Sequence, residues 1–323
     1  MLAYSASHRA RFLGHPEPAN RIAHWASNVF PSLRVALEND QARISDSHLA
    51  TAIMLLSLKI VSPSTFEVPV PWQCHLKLAS DLFLACQNQI AYPGNRIGVF
   101  LTRWLGYLDI LGSLSCRHQP PPLLSYYSVL NTCSANKEWD GLAVDCFTGF
   151  TPRTGSFLMH LGNLIYQCET ERFDGMGNYL PGWAPSQDII HQAEELLSSL
   201  EDLGAHVDAS ESHFQEPEST DIIAADRAFR YAGLLHLHRR VLGRSPASTE
   251  VSKALDCLMQ SVRAIRSGSA IEVGVLFPLI TAGCETRDPE RRADINERLR
   301  AMEGTGMKQV REVVSTLALS NRL

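Results

Sequence analysis

Two histidines stand two residues apart in the segment HLHRR, where His236 and His238 have the spacing of an H-x-H metal site. Side chains at that spacing share one face only in a β-strand. The surrounding residues have the apolar spacing of a helix, in which positions two apart point about 200° from each other. The pattern therefore predicts a helix with a packed His238, and no metal site.

Cys284 ends an apolar stretch, VLFPLITAGCET, at residues 275–286. The stretch could be a buried strand ending in a reactive thiol or a bent helix ending in an unreactive one. Together with its neighbours it is too long for a buried strand, and apolar residues on all sides predict a mostly buried helix. Cys284 then lies near the C-terminus, where the helix dipole disfavours a thiolate. We predict a packed, unreactive Cys284.

Pro278 interrupts this predicted helix. Proline lacks the backbone N–H, and its ring crowds the carbonyl four residues back. That residue is Gly274, whose backbone yields easily, so a bend here costs less than usual. Gly274 and Pro278 are therefore the candidate hinge residues.

The other chemical motifs argue against an enzyme. Eight scattered cysteines include no C-x2-C pair, which predicts reduced, mostly buried thiols and no local zinc site. The sequence contains no G-x-S-x-G elbow and no phosphate-binding glycine motif. We assign no catalytic and no metal-binding residues, and we leave cofactor-binding residues open. An enzyme that uses Cys284 or a histidine remains the least favoured alternative.

Composition is that of an ordinary globular protein, with 45% hydrophobic and 20% charged residues in 323. The net charge of -5 argues against a chain that coats nucleic acid unaided. The sequence has no run of about 18 apolar residues, so no membrane contact is expected. The N-terminus has no continuous apolar stretch, so a secretory signal is not expected either.

Helical periodicity dominates the chain. Thr151, Ser186 and Asp288 are the expected caps of three helices, two of which have proline in the first turn. The predicted helical segments are 45–62, 72–92, 95–115, 151–169, 186–204, 220–243, 247–268, 269–285, 288–303, 306–320 and part of the opening segment. The fold class is all-α, a single large domain of roughly a dozen helices with no substantial β-sheet.

The domain boundaries follow from the same pattern. Residues 1–44 form a partly helical N-terminal segment, and residues 45–323 form the main helical domain. Residues 205–219 are polar and acidic, which predicts an exposed connection within that domain.

Several segments, in order, carry a family resemblance. FLTRWLGYLDILGSLS contains the pattern F-x-x-x-x-x-x-Y-x-D-I-L through Phe100, Tyr107, Asp109, Ile110 and Leu111. AFRYAGLLHLHRRVLG follows, and then GVLFPLITAGCETRDPERRADINERLRAMEGTGM. Together these segments resemble the fungal-specific transcription factor domain, which is the regulatory region of fungal binuclear zinc-cluster transcription factors. The resemblance runs from about residue 45 to residue 318.

The resemblance implies an all-helical, non-enzymatic regulatory domain that acts in the nucleus, or moves between nucleus and cytoplasm. It would control RNA polymerase II transcription through contacts with the transcription machinery or co-regulators. A homodimer and a small-molecule effector are further expectations.

One part of the family pattern is missing. The family's six-cysteine zinc cluster does not precede the helices in this sequence. No residue here can inherit a zinc-ligand role, no cofactor is expected in this chain, and no direct DNA contact is expected from it alone. Zinc is expected only if such a cluster lies ahead of this sequence. The alternative function is a helical scaffold or adaptor without its own DNA binding.

Overall fold

Helices make up most of the chain. The computed structural model describes residues 1–38, 44–61, 71–116, 119–133, 143–201 and 218–303. Within these ranges Phe173 and Tyr179 form an isolated antiparallel bridge. The prediction of an all-α fold of roughly a dozen helices is confirmed.

The helices have the following bounds. They are α1 Leu2–Phe12, α2 Ala19–Ser27, α3 Phe30–Glu38, α4 Asp46–Val61, α5 Trp72–Ile90, α6 Arg96–Ser115, α7 Ser125–Cys133, α8 Pro152–Arg172, α9 Gln187–Glu201, α10 Glu218–His236, α11 Thr249–Ala264, α12 Leu276–Glu285 and α13 Pro289–Glu303. A π-helical turn (the π-turn) follows α10 at Leu237–Val241, and a 3-10 turn precedes α12 at Glu272–Val275.

Side-chain caps start several of these helices where the sequence predicts them. Thr151 accepts the N–H of Thr154 at the start of α8, and Pro152 occupies the first turn. The Ser186 hydroxyl accepts the N–H of Ile189 at 3.3 Å. Asp288 accepts the N–H of Glu290 at 2.8 Å. Each cap satisfies a donor that the first turn of a helix leaves unpaired.

The chain divides into two compact units. Unit 1 comprises Met1–Leu105, Ser128–Glu138 and Leu299–Leu323. Unit 2 comprises Gly106–Tyr127 and Trp139–Arg298. The boundary predicted between residues 44 and 45 remains a prediction.

In unit 1, α4 packs on α5. Leu76, Ala79, Phe83 and Cys86 lie on the buried face of α5 at spacings of three and four residues. Each large apolar side chain buried in this way contributes about 1.5–3 kcal/mol before the cost of chain entropy.

In unit 2, α8 and α10 lie at the centre of the core, where α10 packs against α8, α11 and α12. The Phe229 ring meets Phe150 edge-on at 5.0 Å and Phe277 in a stacked arrangement at 6.2 Å. The helices approach closely at Gly233, because a Cβ atom there would lie 2.4 Å from the Phe157 ring. A small residue is therefore required at that crossing.

Helices α6 and α7 differ from the sequence-based expectation in separate ways. By length and composition, α6 could cross a membrane, with a mean hydropathy of 1.2, although 56% of that window is buried inside the protein. A core helix passes the same test. Helix α7 has no clear signal in the sequence, because triple proline precedes it and Ser, Tyr, Val, Asn and Thr are poor helix formers.

Some predicted elements lie outside the described residues. These are residues 205–217 of the acidic connection and the helix predicted at 306–320. Glu218 and Ser219, which were assigned to the connection, begin α10 instead.

Candidate functional site

The HLHRR segment forms the junction between α10 and the π-turn in unit 2. The N–H of Leu242 donates to the carbonyl of Leu237 at 2.9 Å, five residues back. Such turns insert one extra residue into a helix and occur frequently at functional sites. His236 ends α10, and the π-turn carries His238, Arg239 and Arg240.

His236 contacts α12 through its ring. The imidazole stacks on the Phe277 ring at 5.4 Å, with 11° between the planes. Its Nε2 lies 3.2 Å from the Thr281 hydroxyl, and its Nδ1 lies 3.5 Å from the Arg240 guanidinium. Burial, and secondarily the charge of Arg240, lower the pKa of His236 to about 3. The ring is therefore neutral at physiological pH.

Helix α12 is held to the π-turn region along one face. Phe277 and Thr281 contact His236, and Glu285 accepts a hydrogen bond from Nε of Arg239 at 2.8 Å. These three α12 residues are spaced four apart, so they lie on one side of the helix. We name this set of contacts the α12 clamp.

A second ion pair fixes the π-turn to α8. The Arg240 guanidinium pairs with the buried Glu169 carboxylate and also donates to the carbonyl of Leu114. Arg172, at the end of α8, donates to the carbonyl of Arg240 at 2.7 Å. The π-turn is therefore bonded to α8 on one side and to α12 on the other.

His238 is buried, as the sequence predicts. Burial and the charge of Arg244 lower its pKa. Within the described part of the chain, no group of three or more His, Cys, Asp and Glu residues could hold a metal ion.

The single bent helix predicted around Pro278 is wrong in its local structure. The backbone forms a 3-10 turn at Glu272–Val275, and α12 begins separately at Leu276. Pro278 therefore stands in the first turn of α12, where its missing N–H needs no partner within the helix. Gly274 lies in the 3-10 turn and donates to the carbonyl of Ile271 at 3.0 Å. A hinge role for Gly274 and Pro278 stays a prediction.

The cysteines are free, but fewer are buried than the sequence predicts. Cys284 is exposed, which corrects the expectation of a packed side chain. Surrounding protein and the neighbouring Glu285 nevertheless raise its pKa. Cys86, Cys133 and Cys168 are the buried members of the eight.

Asp109, which belongs to the family-like pattern, is a buried carboxyl group in unit 2. Its Oδ2 accepts the Leu123 N–H at 3.0 Å and the Tyr126 hydroxyl at 2.8 Å. Burial raises the pKa of Asp109 to about 6, although the two hydrogen bonds act in the opposite direction. Asp109 fixes the segment that joins α6 to α7.

The described residues of unit 2 form an open groove and a smaller pocket. The larger, of about 720 Å³, is an open groove lined by residues of α8 and α9 and by Leu124. The smaller, of about 330 Å³, is an arginine- and aromatic-lined pocket that we name the Arg172 pocket. It is lined by Arg172, Tyr179, Trp183, Ala184, Pro185, Arg239, Leu242 and Gly243.

The loop after α8 builds one wall of the Arg172 pocket. Asp174 accepts the N–H groups of Met176 and Asn178 at 2.9 and 2.8 Å, which folds the chain back on itself. The N–H of Leu180 then donates to the carbonyl of Arg172 at 2.9 Å. The Arg172 guanidinium consequently stacks over the Trp183 ring at 4.1 Å.

The Arg172 pocket was not predicted from the sequence. The segments FDGMGNYLPGWAP and HLHRR lie more than 50 residues apart in the sequence, and no local pattern links them. The structure brings the two together through contacts about 70 residues apart, such as Arg172 with Arg240. The one available signal was the high density of aromatic and glycine residues between α8 and α9.

The sequence matches one model of a known protein family. The model described as the fungal specific transcription factor domain matches residues 1–318. The match begins ahead of residue 45, where the recognisable motifs begin. No curated protein and no solved structure matches the chain.

The match has a functional meaning. It supports a regulatory role within fungal transcription factors, in a family that is generally non-enzymatic, works through protein interaction and functions in the nucleus. Because the matched residues make up nearly the whole chain, the protein belongs to the fungal specific transcription factor domain family.

Proposed function

We propose that this chain controls RNA polymerase II transcription in the nucleus by contacting the transcription machinery or co-regulators, under the control of a small-molecule effector. The family match over residues 1–318 is the observation that carries the proposal. Contacts to DNA are assigned to a partner or to a separate module, since the sequence offers no C-x2-C pair for a zinc cluster.

A chain of side-chain contacts supports effector control as part of this proposal. The π-turn connects the Arg172 pocket to α12, because Arg239 lines the pocket and also pairs with Glu285. A ligand shifts a conformational equilibrium only by its different affinity for the two states. A molecule that draws Arg239 toward the pocket would compete with Glu285 and loosen the α12 clamp. In this proposal, the hinge consists of Gly274 in the 3-10 turn and Pro278 in the first turn of α12.

A tethered reporter tests the proposal. The full chain is fused to a DNA-binding module from an unrelated family and expressed in a fungal strain that carries the matching reporter gene. We expect reporter transcription to differ from that given by the module alone. A Pro278→Ala variant tests the hinge, since an unchanged effector response in that variant would remove the hinge from the account.

The second candidate is a helical scaffold or adaptor. The open groove along α8 and α9 favours it, since a concave helical surface suits a protein partner. This candidate predicts no reporter change on tethering, together with recovery of a zinc-cluster factor when the chain is purified from nuclear extract. A homodimer is also consistent with it, and light scattering measures that state directly.

A further inference from the structure

The Arg172 pocket has an unbalanced set of charges. Three of the four arginines around it and the π-turn pair with a carboxylate, as Arg239 with Glu285, Arg240 with Glu169 and Arg244 with Glu250. Arg172 instead donates to a backbone carbonyl and stacks on an indole, and it pairs with no carboxylate among the described residues. No acidic side chain lines the pocket. One positive charge at its wall therefore has no carboxylate of its own, because Glu169, which acts on it from one turn earlier in α8, is paired with Arg240.

Two residues that line the pocket each carry a side-chain donor without a hydrogen-bond partner among the described residues. Nε of Arg172 and Nε1 of Trp183 are buried and lack a partner within the described part of the chain. A guanidinium offers five N–H groups, so Arg172 and Arg239 keep donors beyond the bonds that they make. A buried donor without a partner carries a cost that an incoming acceptor removes. The site therefore favours a ligand rich in oxygen acceptors.

The remaining lining describes the rest of the ligand. Ala184, Pro185 and Leu242 provide apolar surface, and Tyr179 provides a hydroxyl group. The volume of about 330 Å³ is at the small end of the range for ligand pockets. With no carboxylate in the lining, an ammonium group on the ligand would lose its hydration without gaining a partner.

We propose that the Arg172 pocket binds a small carboxylic acid that has a short apolar body and no ammonium group, with its carboxylate on Arg172 and its body against Pro185 and Leu242. A 2-oxo acid fits this description, because its keto oxygen can accept a hydrogen bond from the exposed Tyr179 hydroxyl. The proposal deepens the proposed function by naming a class of effector, and it rests on that function for its biological meaning.

Isothermal titration calorimetry of the purified full chain tests the proposal. The probes are pyruvate and 4-methyl-2-oxopentanoate, with leucine as the matched ammonium-bearing compound and inorganic phosphate as the competing oxyanion. We expect one site per chain that binds 4-methyl-2-oxopentanoate at least about tenfold more tightly than leucine or phosphate, which is a difference of one decade in Kd.

Three variants locate the binding. Arg172→Gln removes the charge and should weaken 4-methyl-2-oxopentanoate binding at least about tenfold, as expected for a charge-assisted hydrogen bond. Ala184→Phe should block the pocket from an exposed loop position while leaving every arginine in place. Arg153→Gln makes the same charge change at an exposed position on α8 that lines only the larger groove, and should leave binding unchanged.

Three outcomes would contradict the proposal. The proposal is overturned if neither oxo acid binds at up to about 10 mM, which is weaker than the affinity of a useful site. Binding of phosphate or leucine as tight as that of the oxo acid would overturn the assigned class. If Arg172→Gln does not fold, unchanged binding in Ala184→Phe overturns the location. Because binding is measured without transcription, this result is separate from the reporter result.

Discussion

The His236 imidazole lies parallel to the Phe277 ring, with the ring centroids 5.4 Å apart, and so joins the end of α10 to the first turn of α12. A charged imidazolium at this position would face the Arg240 guanidinium 3.5 Å away. The contact thus depends on a neutral ring, which links the packing of α12 to protonation.

We predict that acid destabilises unit 2 through His236. The folded pKa is about 3, and the ordinary pKa of histidine is about 6.5. Between these values the unfolded state binds more protons, so stability falls as pH falls, with a slope of up to about 1.4 kcal/mol per pH unit. Denaturant unfolding of wild type and His236→Gln from pH 7 to pH 4 measures this slope.

Asp109 changes the free energy of unfolding with pH in the opposite direction. Its folded pKa of about 6 lies above that of a free aspartate, so the folded state binds the proton more tightly and stability rises as pH falls. The difference between wild type and His236→Gln isolates the histidine. We expect the wild type to lose more stability on acidification than the variant. Equal losses in the two proteins would show that His236 is not held neutral.

The Glu169–Arg240 pair should couple strongly, because both groups are largely buried. Glu169→Leu alone leaves an uncompensated buried guanidinium and should cost about 3–5 kcal/mol of unfolding free energy. Arg240→Met alone should cost a similar amount. The double variant should lose much less than the sum, because hydrophobic replacement of a buried pair is often close to neutral. Additive losses in the cycle would argue against a direct interaction.

Two glycines provide a matched test of helix packing. Gly233→Ala places a methyl group 2.4 Å from the Phe157 ring and should destabilise the protein by about 1 kcal/mol or more, even after the gain in helix propensity. Nothing lies within 4 Å of a Cβ atom at Gly274. Gly274→Ala should therefore be neutral or stabilise by up to about 1 kcal/mol. Thermal unfolding of both variants checks this difference, and equal Tm values would contradict it.

Cys284 should react slowly with thiol reagents despite its exposure. Surrounding protein and Glu285 raise its pKa, which lowers the thiolate fraction that reacts. Timed alkylation at neutral pH followed by peptide mass spectrometry should show Cys284 reacting no faster than Cys74, which is also exposed. Selective rapid modification of Cys284 would revive the enzyme hypothesis.

Helix positions and caps were predicted correctly wherever a single local rule determines the structure. Apolar periodicity located α5 and α10, and the cap residues Thr151 and Asp288 begin their helices as predicted. Local rules were weaker at α12. The apolar pattern predicts one helix on both sides of Gly274, because periodicity alone does not distinguish a 3-10 turn from the α-helix that follows.

The candidate site could not be predicted from local sequence patterns. It depends on contacts between residues far apart in the chain, such as Arg239 with Glu285 and Arg240 with Glu169. The exposure of Cys284 also depends on tertiary packing. The helix pattern predicts a buried neighbourhood, but the packing of α12 leaves this side chain exposed.

The most direct test of the central claim is the transcript level of a tethered reporter. The comparison is between the DNA-binding module alone, the full chain fused to it, and the same fusion carrying a core-disrupting Gly233→Trp change, at matched expression. A regulatory domain predicts a change of several-fold in either direction that is lost in the Gly233→Trp fusion. Equal transcript levels in all three strains would contradict the claim.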